Sequence, residues 1–362
     1  MQELRAAFPV LDRHAYLNAG TCGPLSRAAV EAAAAEAEHG LLEGRSAAHF
    51  ERLLGLRARL REAYAGVLGA STSDVALVTS TSEGMVRVLT ALGLREGQEI
   101  ITSDAEHPGL LGPLAAARER LGVRVRAVPL ADVADAVGPD TALVACSHVG
   151  WLRGDVAPAA LAEVGVPVLL DGAQGAGAVP VDVRTLGCAF YAAAGQKWMC
   201  GPVGTGMLYV APEWQERLVP LGPTYGNLET PSAGLEAAPH RDARAHDASA
   251  LSNEALAGAL AAHDVLARAG WDRVHAHARA GAAKLADLLG EQGIEVAPRG
   301  DTTLVSFTVA DPAAAKARCA EAGVVVRDLP GTQYLRASVG AWNDDGDLDR
   351  LLGAVFGAQR PA

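Results

Sequence analysis

Residues 169–206 read LLDGAQGAGAVPVDVRTLGCAFYAAAGQKWMCGPVGTG, and this stretch decides the fold. Its apolar start drives a buried strand that ends at Asp171. A second apolar run, 188–194, leads into Gly195, Gln196 and Lys197 beside a Gly/Pro-rich turn. Working outward, short apolar runs alternate with helix-like stretches. Strands are expected at Val75–Val78, 99–102, 123–128, 142–149, 166–171, 188–194 and 205–210, with helices over 83–92 and 110–121. Such alternation predicts an α/β fold with a mostly parallel, seven-stranded sheet flanked by helices. Ligands bind these sheets beyond the carboxyl ends of the strands. Two helices are expected upstream, over 28–38 and 47–68.

Downstream, a Gly/Pro/polar stretch over 220–247 breaks the periodicity and reads as a long functional loop. Helices are expected again at Asn253–Ala269, 271–289, 312–322 and 348–356. Strands are expected at 302–309, 324–329 and 334–339. The chain therefore divides into an N-terminal segment (1–20), a large α/β domain (21–254) and a smaller α+β C-terminal domain (255–362).

Composition narrows the function. The 362 residues are 50% hydrophobic and 20% charged, enough apolar material for a sizeable core and unlike a disordered chain. A net charge of −11 excludes nucleic acid and anionic membranes as natural partners. Aromatics are only 4% while glycines number 40, so the core must be aliphatic. Five cysteines (Cys22, Cys146, Cys188, Cys200, Cys319) form no CxxC pair, which argues against a disulfide framework and against a metal site. The N-terminus lacks a signal-peptide pattern and no run of 18 apolar residues occurs, so a cytoplasmic protein without a membrane span is expected.

Asp171 and Lys197 sit at the ends of two successive strands, 26 residues apart in sequence. By themselves they suit a structural ion pair as well as a pyridoxal phosphate site. In the latter, the lysine anchors the cofactor aldehyde and the carboxylate keeps the pyridine nitrogen protonated. Two further segments shift the balance. His107, in SDAEHPG after the 99–102 strand, offers a flat ring for a planar cofactor, though a lone histidine is more often an ordinary loop residue. Thr79, Ser80, Thr81, Ser82, Glu83 and Gly84 lie between a strand and a helix, where hydroxyls and free N–H groups can hold a phosphate. Simple capping by Ser80 or Thr81 would explain the same residues.

Jointly these residues resemble fold-type I pyridoxal phosphate enzymes of the class V aminotransferase superfamily, most nearly its cysteine/cystine C–S lyase group. The resemblance spans nearly the whole chain. It rests on Tyr16, Leu17 and Asn18 with Gly23 and Pro24, on DAEHPG, SHVGWLRG, DGAQ and GQKWMCGP, and on Arg327 with Arg336. It implies that Lys197 is the cofactor lysine, that Asp171 pairs with the ring nitrogen, that Gln174 contacts the ring hydroxyl and that His107 stacks on the ring. Thr81 and Ser82 match the phosphate-binding turn. Arg336 matches the arginine that grips the substrate α-carboxylate, for which a guanidinium fork is well suited. Arg327 would read a second carboxylate, with Asn18, Trp151 and Tyr16 lining the substrate pocket. Ser249 falls where the superfamily takes a phosphate contact from a partner subunit, which implies a homodimer with the active site at the interface.

This chain also departs from the pattern. Ala194 and Gln196 replace the Ser/Thr and His that often support the phosphate in that family, which implies either a lower phosphate affinity or substitution by the Gln196 amide. The segment joining the two arginines, 328–333, is short and carries no cysteine, which disfavours a cysteine desulfurase or selenocysteine lyase. Cys22 and Cys200 read as structural. The expected activity is β-elimination from cysteine, cystine or a related sulfur or selenium amino acid. Transamination, epimerisation and a catalytically silent cofactor-binding protein are the alternatives. Tyr16, Trp151 and Trp198 are expected as walls of the site rather than core filler.

Overall fold

The computed structural model describes residues 1–220 and 222–357. Position 221 of the expected loop and positions 358–362 of the expected C-terminal domain lie outside the described residues. Strand β1 (Ala15–Tyr16) comes from the N-terminal segment. Strands β2 (Val75–Val78), β3 (Glu99–Ser103), β4 (Arg124–Val128), β5 (Thr141–Ser147), β6 (Val168–Asp171), β7 (Phe190–Ala194) and β8 (Gly206–Val210) make the seven-stranded sheet, in the order β2-β8-β7-β6-β5-β3-β4. Pairing is parallel throughout except that β8 runs against β2 and β7. Every residue of β2, β6, β7 and β8 is buried, as expected for a sheet covered on both faces.

Helices Thr81–Ala91 and Pro108–Leu121 cover one face, packing Met85, Val88, Leu110 and Leu114 against Val78 and Phe190. Helices Ala47–Leu68 and Asn253–Ala269 cover the other with Leu60, Tyr64, Leu68 and Leu256. Gly84 sets how closely the first of these helices approaches: a Cβ there would lie 2.7 Å from Cβ of Ala192 on β7. The helix N-terminus is thereby brought down onto the carboxyl ends of the strands.

The second half of the chain supplies β9 (Leu304–Thr308), β10 (Val324–Val325), β11 (Arg327–Asp328) and β12 (Tyr334–Ser338). β11, β12 and β9 form an antiparallel sheet, whereas β10 pairs parallel with β1. The single strand expected over 324–329 is therefore two. Its apolar half follows β1 into a core with Leu17, Leu285 and Leu348, and its charged half turns to face β12. The N-terminal segment is tied further by Arg5, which bonds Asp347 at 2.7 Å. The 220–247 stretch contains short 3₁₀ turns, at Tyr225–Asn227, Pro231–Glu236 and Ala243–His246. It ends at buried Asp247, which accepts from Arg57 (2.9 Å), Arg61 (2.7 Å) and the Leu77 N–H (2.8 Å).

Candidate active site

The parallel strands end on one side, and five of the connections leaving them carry the candidate residues. Asp171 closes β6, and Lys197 follows β7 by three residues. The Asp171 carboxylate is buried, with Oδ1 accepting the Ala173 N–H at 2.9 Å. Burial raises its pKa and the charge of Lys197 pulls it back. Lys197 is lowered to about 8, first by burial. Asp171 opposes that shift and Arg336 and Arg327 reinforce it. A lysine in this state is a usable base near neutral pH.

His107 caps the helix Pro108–Leu121, its Nδ1 accepting the Gly109 N–H at 2.9 Å. Burial, then Lys197, Arg327 and Arg336, depress its pKa to about 4, so the ring is neutral. Its edge meets the Trp151 ring, centroids 5.0 Å apart at 87°. The Trp151 indole N–H is fixed on the Ala105 carbonyl at 3.0 Å. Glu106, which the sequence reading passed over, is buried beneath this loop. It accepts from the Ser103 hydroxyl (2.7 Å) and from the Ser147 N–H (2.8 Å) and hydroxyl (2.5 Å). The β3 and β5 ends are thus clamped together and the His107 loop is held over the site.

Of the two candidate caps, Ser80 takes the role and Thr81 does not. Ser80 caps the helix Thr81–Ala91 by accepting the Glu83 N–H at 3.1 Å. Thr81 Oγ1, buried, is left without a partner. Ser82 lies against Gly109, where a Cβ would come within 2.6 Å of its Oγ. Gln196, entering from β7, has an unpartnered buried side-chain oxygen. Glu83 is neutralised by Arg87 (2.6 Å) and by the Thr79 N–H and hydroxyl (2.6 Å each). Ser249 is exposed, just past Ala248, whose N–H bonds Leu77 of β2 at 2.7 Å.

A strap of residues 18–23 crosses between the small sheet and the β7 turn. Gly20 O accepts from the Gln174 amide (2.8 Å), and the Gly23 N–H donates to the Gln196 carbonyl (2.8 Å). The Gln174 side-chain oxygen takes the Trp198 indole N–H at 2.9 Å. Both ends of the Gln174 amide are therefore engaged within the protein. Trp198 is itself 2% exposed, so it braces Gln174 from the core instead of forming a wall. Tyr16 is partly exposed and donates to the Cys22 carbonyl at 3.0 Å. Of the cysteines, Cys22 alone is only half-buried. Cys200 is buried and its thiol is pushed well above the usual range.

Arg336 on β12 is fully buried. One N–H donates to the Trp151 carbonyl at 2.6 Å, while Nε and Nη2 have no partner among the described residues. Burial, then the charge of Arg327, pulls its pKa down. An unpaired guanidinium in a dry site is costly and calls for an anion. Arg327 is the Cα partner of Arg336 across the hairpin, and directly opposed residues share a face. It bonds the Thr21 hydroxyl at 3.3 Å and lies 5.9 Å from the Trp151 ring centroid. Two more buried oxygens near the strap are unpartnered, Asn18 Oδ1 and Ser338 Oγ. The arrangement brings together a neutralisable lysine, a buried carboxylate, a flat neutral imidazole and two cations.

Comparison with known proteins places this geometry. The chain is 30% identical to a probable cysteine desulfurase of Methanothermobacter thermautotrophicus, across 98% of this chain and 97% of that one. It is also 30% identical to isopenicillin N epimerase of Streptomyces clavuligerus, over 56% of this chain and 55% of that enzyme. Among solved structures, the complex of the cystine C–S lyase C-DES with its reaction product cysteine persulfide superposes with a TM-score of 0.90. Its identity is 28% over 97% of this chain and all of the other. A lysine-to-alanine variant of C-DES with glycine covalently linked to the PLP cofactor gives 0.91, at 27% identity over 97% and 98% of the two chains. The family model for aminotransferase class-V matches residues 18–351, and the chain belongs to that family.

Proposed function

We propose that the protein is a pyridoxal 5′-phosphate-dependent C–S lyase. It would catalyse β-elimination from cysteine, cystine or a related sulfur or selenium amino acid, giving pyruvate, ammonia and a thiol or persulfide. The observation that carries this reading is Arg336. Its buried, half-unpaired guanidinium lies within electrostatic reach of a lysine lowered to about 8, which the Asp171 carboxylate also faces.

The residues fit the cofactor. Thr81 Oγ1 is buried without a partner among the described residues in the first turn of a helix, where a phosphate is favoured, and the Gln196 side-chain oxygen is likewise unpartnered. Asp171 keeps one oxygen for the ring nitrogen. Lys197, Asp171, His107, Thr81, Ser82, Gln174 and Gln196 would hold the group, with Ser249 reaching it from a second subunit. Bound there, pyridoxal phosphate supplies an electron sink for the pair left on the substrate Cα.

The chain's own residues do the rest. Arg336 binds the α-carboxylate and fixes the Cα–H bond toward Lys197. Neutral Lys197 Nζ takes the Cα proton. His107, held neutral, covers the flat face without adding charge. When the Cβ–S bond breaks, sulfur leaves with the bonding pair and Lys197 Nζ can return a proton to it. Water then converts the released unsaturated amine to pyruvate and ammonia. Arg327 would receive a second anionic end, with Asn18, Tyr16 and Trp151 around it.

The same proton removal opens transamination or epimerisation, and the likeness to isopenicillin N epimerase keeps these as the second reading. Desulfurase chemistry has less support, because the 328–334 turn is tight, with the Leu329 N–H on the Tyr334 carbonyl at 3.1 Å, and lacks a cysteine. A homodimer is supported by exposed Leu41, Leu42, Phe50 and Leu54 on neighbouring helices. The reduced state of all five cysteines suits the cytoplasm. We keep the division into 1–20, 21–254 and 255–362 as part of this proposal, supported by the separate small sheet β11-β12-β9, although helix Asn253–Ala269 packs on the large sheet.

The test is a panel of cysteine, cystine, cysteine conjugates and selenocysteine, assayed for pyruvate and released thiol or selenium. Pyruvate with stoichiometric thiol or persulfide is expected. Keto acid retaining the β-substituent would move the assignment to transamination.

A further inference from the structure

The Asp171 carboxylate receives one protein hydrogen bond, from Ala173 N–H. Its orientation must therefore come from the main chain around it, and that main chain rests on two buried side chains with no part in the chemistry above. His148 follows β5 and is 5% exposed; Tyr191 lies on β7 and is fully buried. Their polar ends meet, with His148 Nδ1 3.0 Å from Tyr191 Oη.

The DGAQG turn is laid directly on this pair. A Cβ at Gly172 would fall 2.0 Å from Tyr191 Cε1, and one at Gly175 would fall 2.3 Å from Tyr191 Oη and 2.5 Å from His148 Nδ1. Glycine at both positions lets the turn touch the ring. Around the turn, the His148 N–H donates to the Asp171 carbonyl (2.9 Å) and the Gly172 N–H to the Ala192 carbonyl (2.7 Å). Asp171 is held from β5 on one side and β7 on the other, and the same two strands supply the side chains that close beneath it. Burial holds His148 down to about 4 and pushes Tyr191 well above its usual range. The platform is therefore uncharged and does not compete with the ring nitrogen for the carboxylate.

The geometry points to the hydrogen-bonded His148–Tyr191 pair as the positioning element that aims Asp171 at the cofactor's ring nitrogen. They are positioning residues that act through Asp171, and the inference rests on the reading of Asp171 as the ring-nitrogen partner.

Tyr191→Phe removes one oxygen and keeps the ring on which Gly172 lies. Pyridoxal phosphate affinity is measured by fluorescence titration of the apoprotein, alongside the wavelength of the visible cofactor band, kcat and KM, and the apoprotein Tm. Tyr191→Phe is expected to weaken cofactor affinity and lower kcat by about tenfold, the size of supporting contacts at other sites. KM for the amino acid should stay within about twofold, because Arg336 is untouched. His148→Gln, which can still bond Tyr191, should lose less than His148→Phe. The deciding measurement is the double variant. If the pair acts through Asp171, Tyr191→Phe has little further effect on cofactor affinity and band position once Asp171→Asn is present. Additive losses, or a Tyr191→Phe protein with unchanged affinity, band and kcat, would overturn the inference. If Asp171→Asn itself leaves affinity and band unchanged, the reading of Asp171 fails instead. Should a His148 variant not fold, the Tyr191→Phe cycle decides alone.

Discussion

At the residue scale the site is governed by burial acting on charge. Lys197 at about 8 in the apoprotein predicts that the rate at which it captures the pyridoxal phosphate aldehyde, followed by growth of the visible band, rises through pH 7–8 and levels above it, as the neutral amine becomes the dominant form. His107, at about 4, contributes no limb near pH 6–7. Lys197→Ala should abolish both turnover and the visible cofactor band; a purified variant that keeps them refutes the lysine assignment. Arg336→Lys keeps the charge but loses the fork, and KM should rise roughly 10- to 100-fold, as expected for losing hydrogen bonds to a charged group. Asp171 at a strand end, Lys197 three residues past one and Arg336 inside an apolar strand were visible as charges in unusual places, but by themselves the first two suited an ion pair equally well, and the proposed roles came from the resemblance. Glu106, His148 and Tyr191 were not. Their roles exist only through partners that the fold brings from some 40 residues away, such as Ser147 for Glu106 and Tyr191 for His148.

At the scale of elements, the helices Ala47–Leu68 and Asn253–Ala269 match the sequence expectation residue for residue, because each has a clear start and an abrupt end. The split of 324–329 into β10 and β11 was illegible, since both halves have strand-like composition and only the partner strands differ. The 220–247 stretch was read as a loop, but what fixes it is a long-range contact. Asp247 lies buried between Arg57 and Arg61, a geometry no local pattern signals. Asp247→Ala leaves two buried guanidinium groups facing each other, and it should destabilise the protein by about 3–5 kcal/mol. Calorimetry should record a Tm lower by about 4–7 °C; a change within about 2 °C would mean the triad is dispensable. The position of Ser249 should loosen with it, and cofactor affinity should fall too if that residue crosses to a neighbouring subunit.

For the whole molecule, acid is the expected weakness. His148 is buried neutral, with a pKa near 4 against an ordinary value near 6.5. The unfolded chain then binds the extra proton between those values. The stabilisation is complete above about pH 6.5 and is lost as pH falls toward 4, by about 2 kcal/mol at pH 5 from this one residue. Tm measured from pH 7.5 to 5 should fall monotonically, and a flat profile would contradict the buried neutral state. Association is tested by Leu42→Glu with Phe50→Glu, which should halve the mass in sedimentation equilibrium if those side chains meet a second copy. The unpaired guanidinium of Arg336 has a further practical consequence. Because the folded protein bears an unmet demand for an anion, each carboxylate that satisfies it must raise the melting temperature with the logarithm of one plus its concentration over Kd. A plate of amino acids, keto acids and dicarboxylates read by thermal shift would rank ligands before any turnover assay exists, and Arg336→Ala supplies the blank.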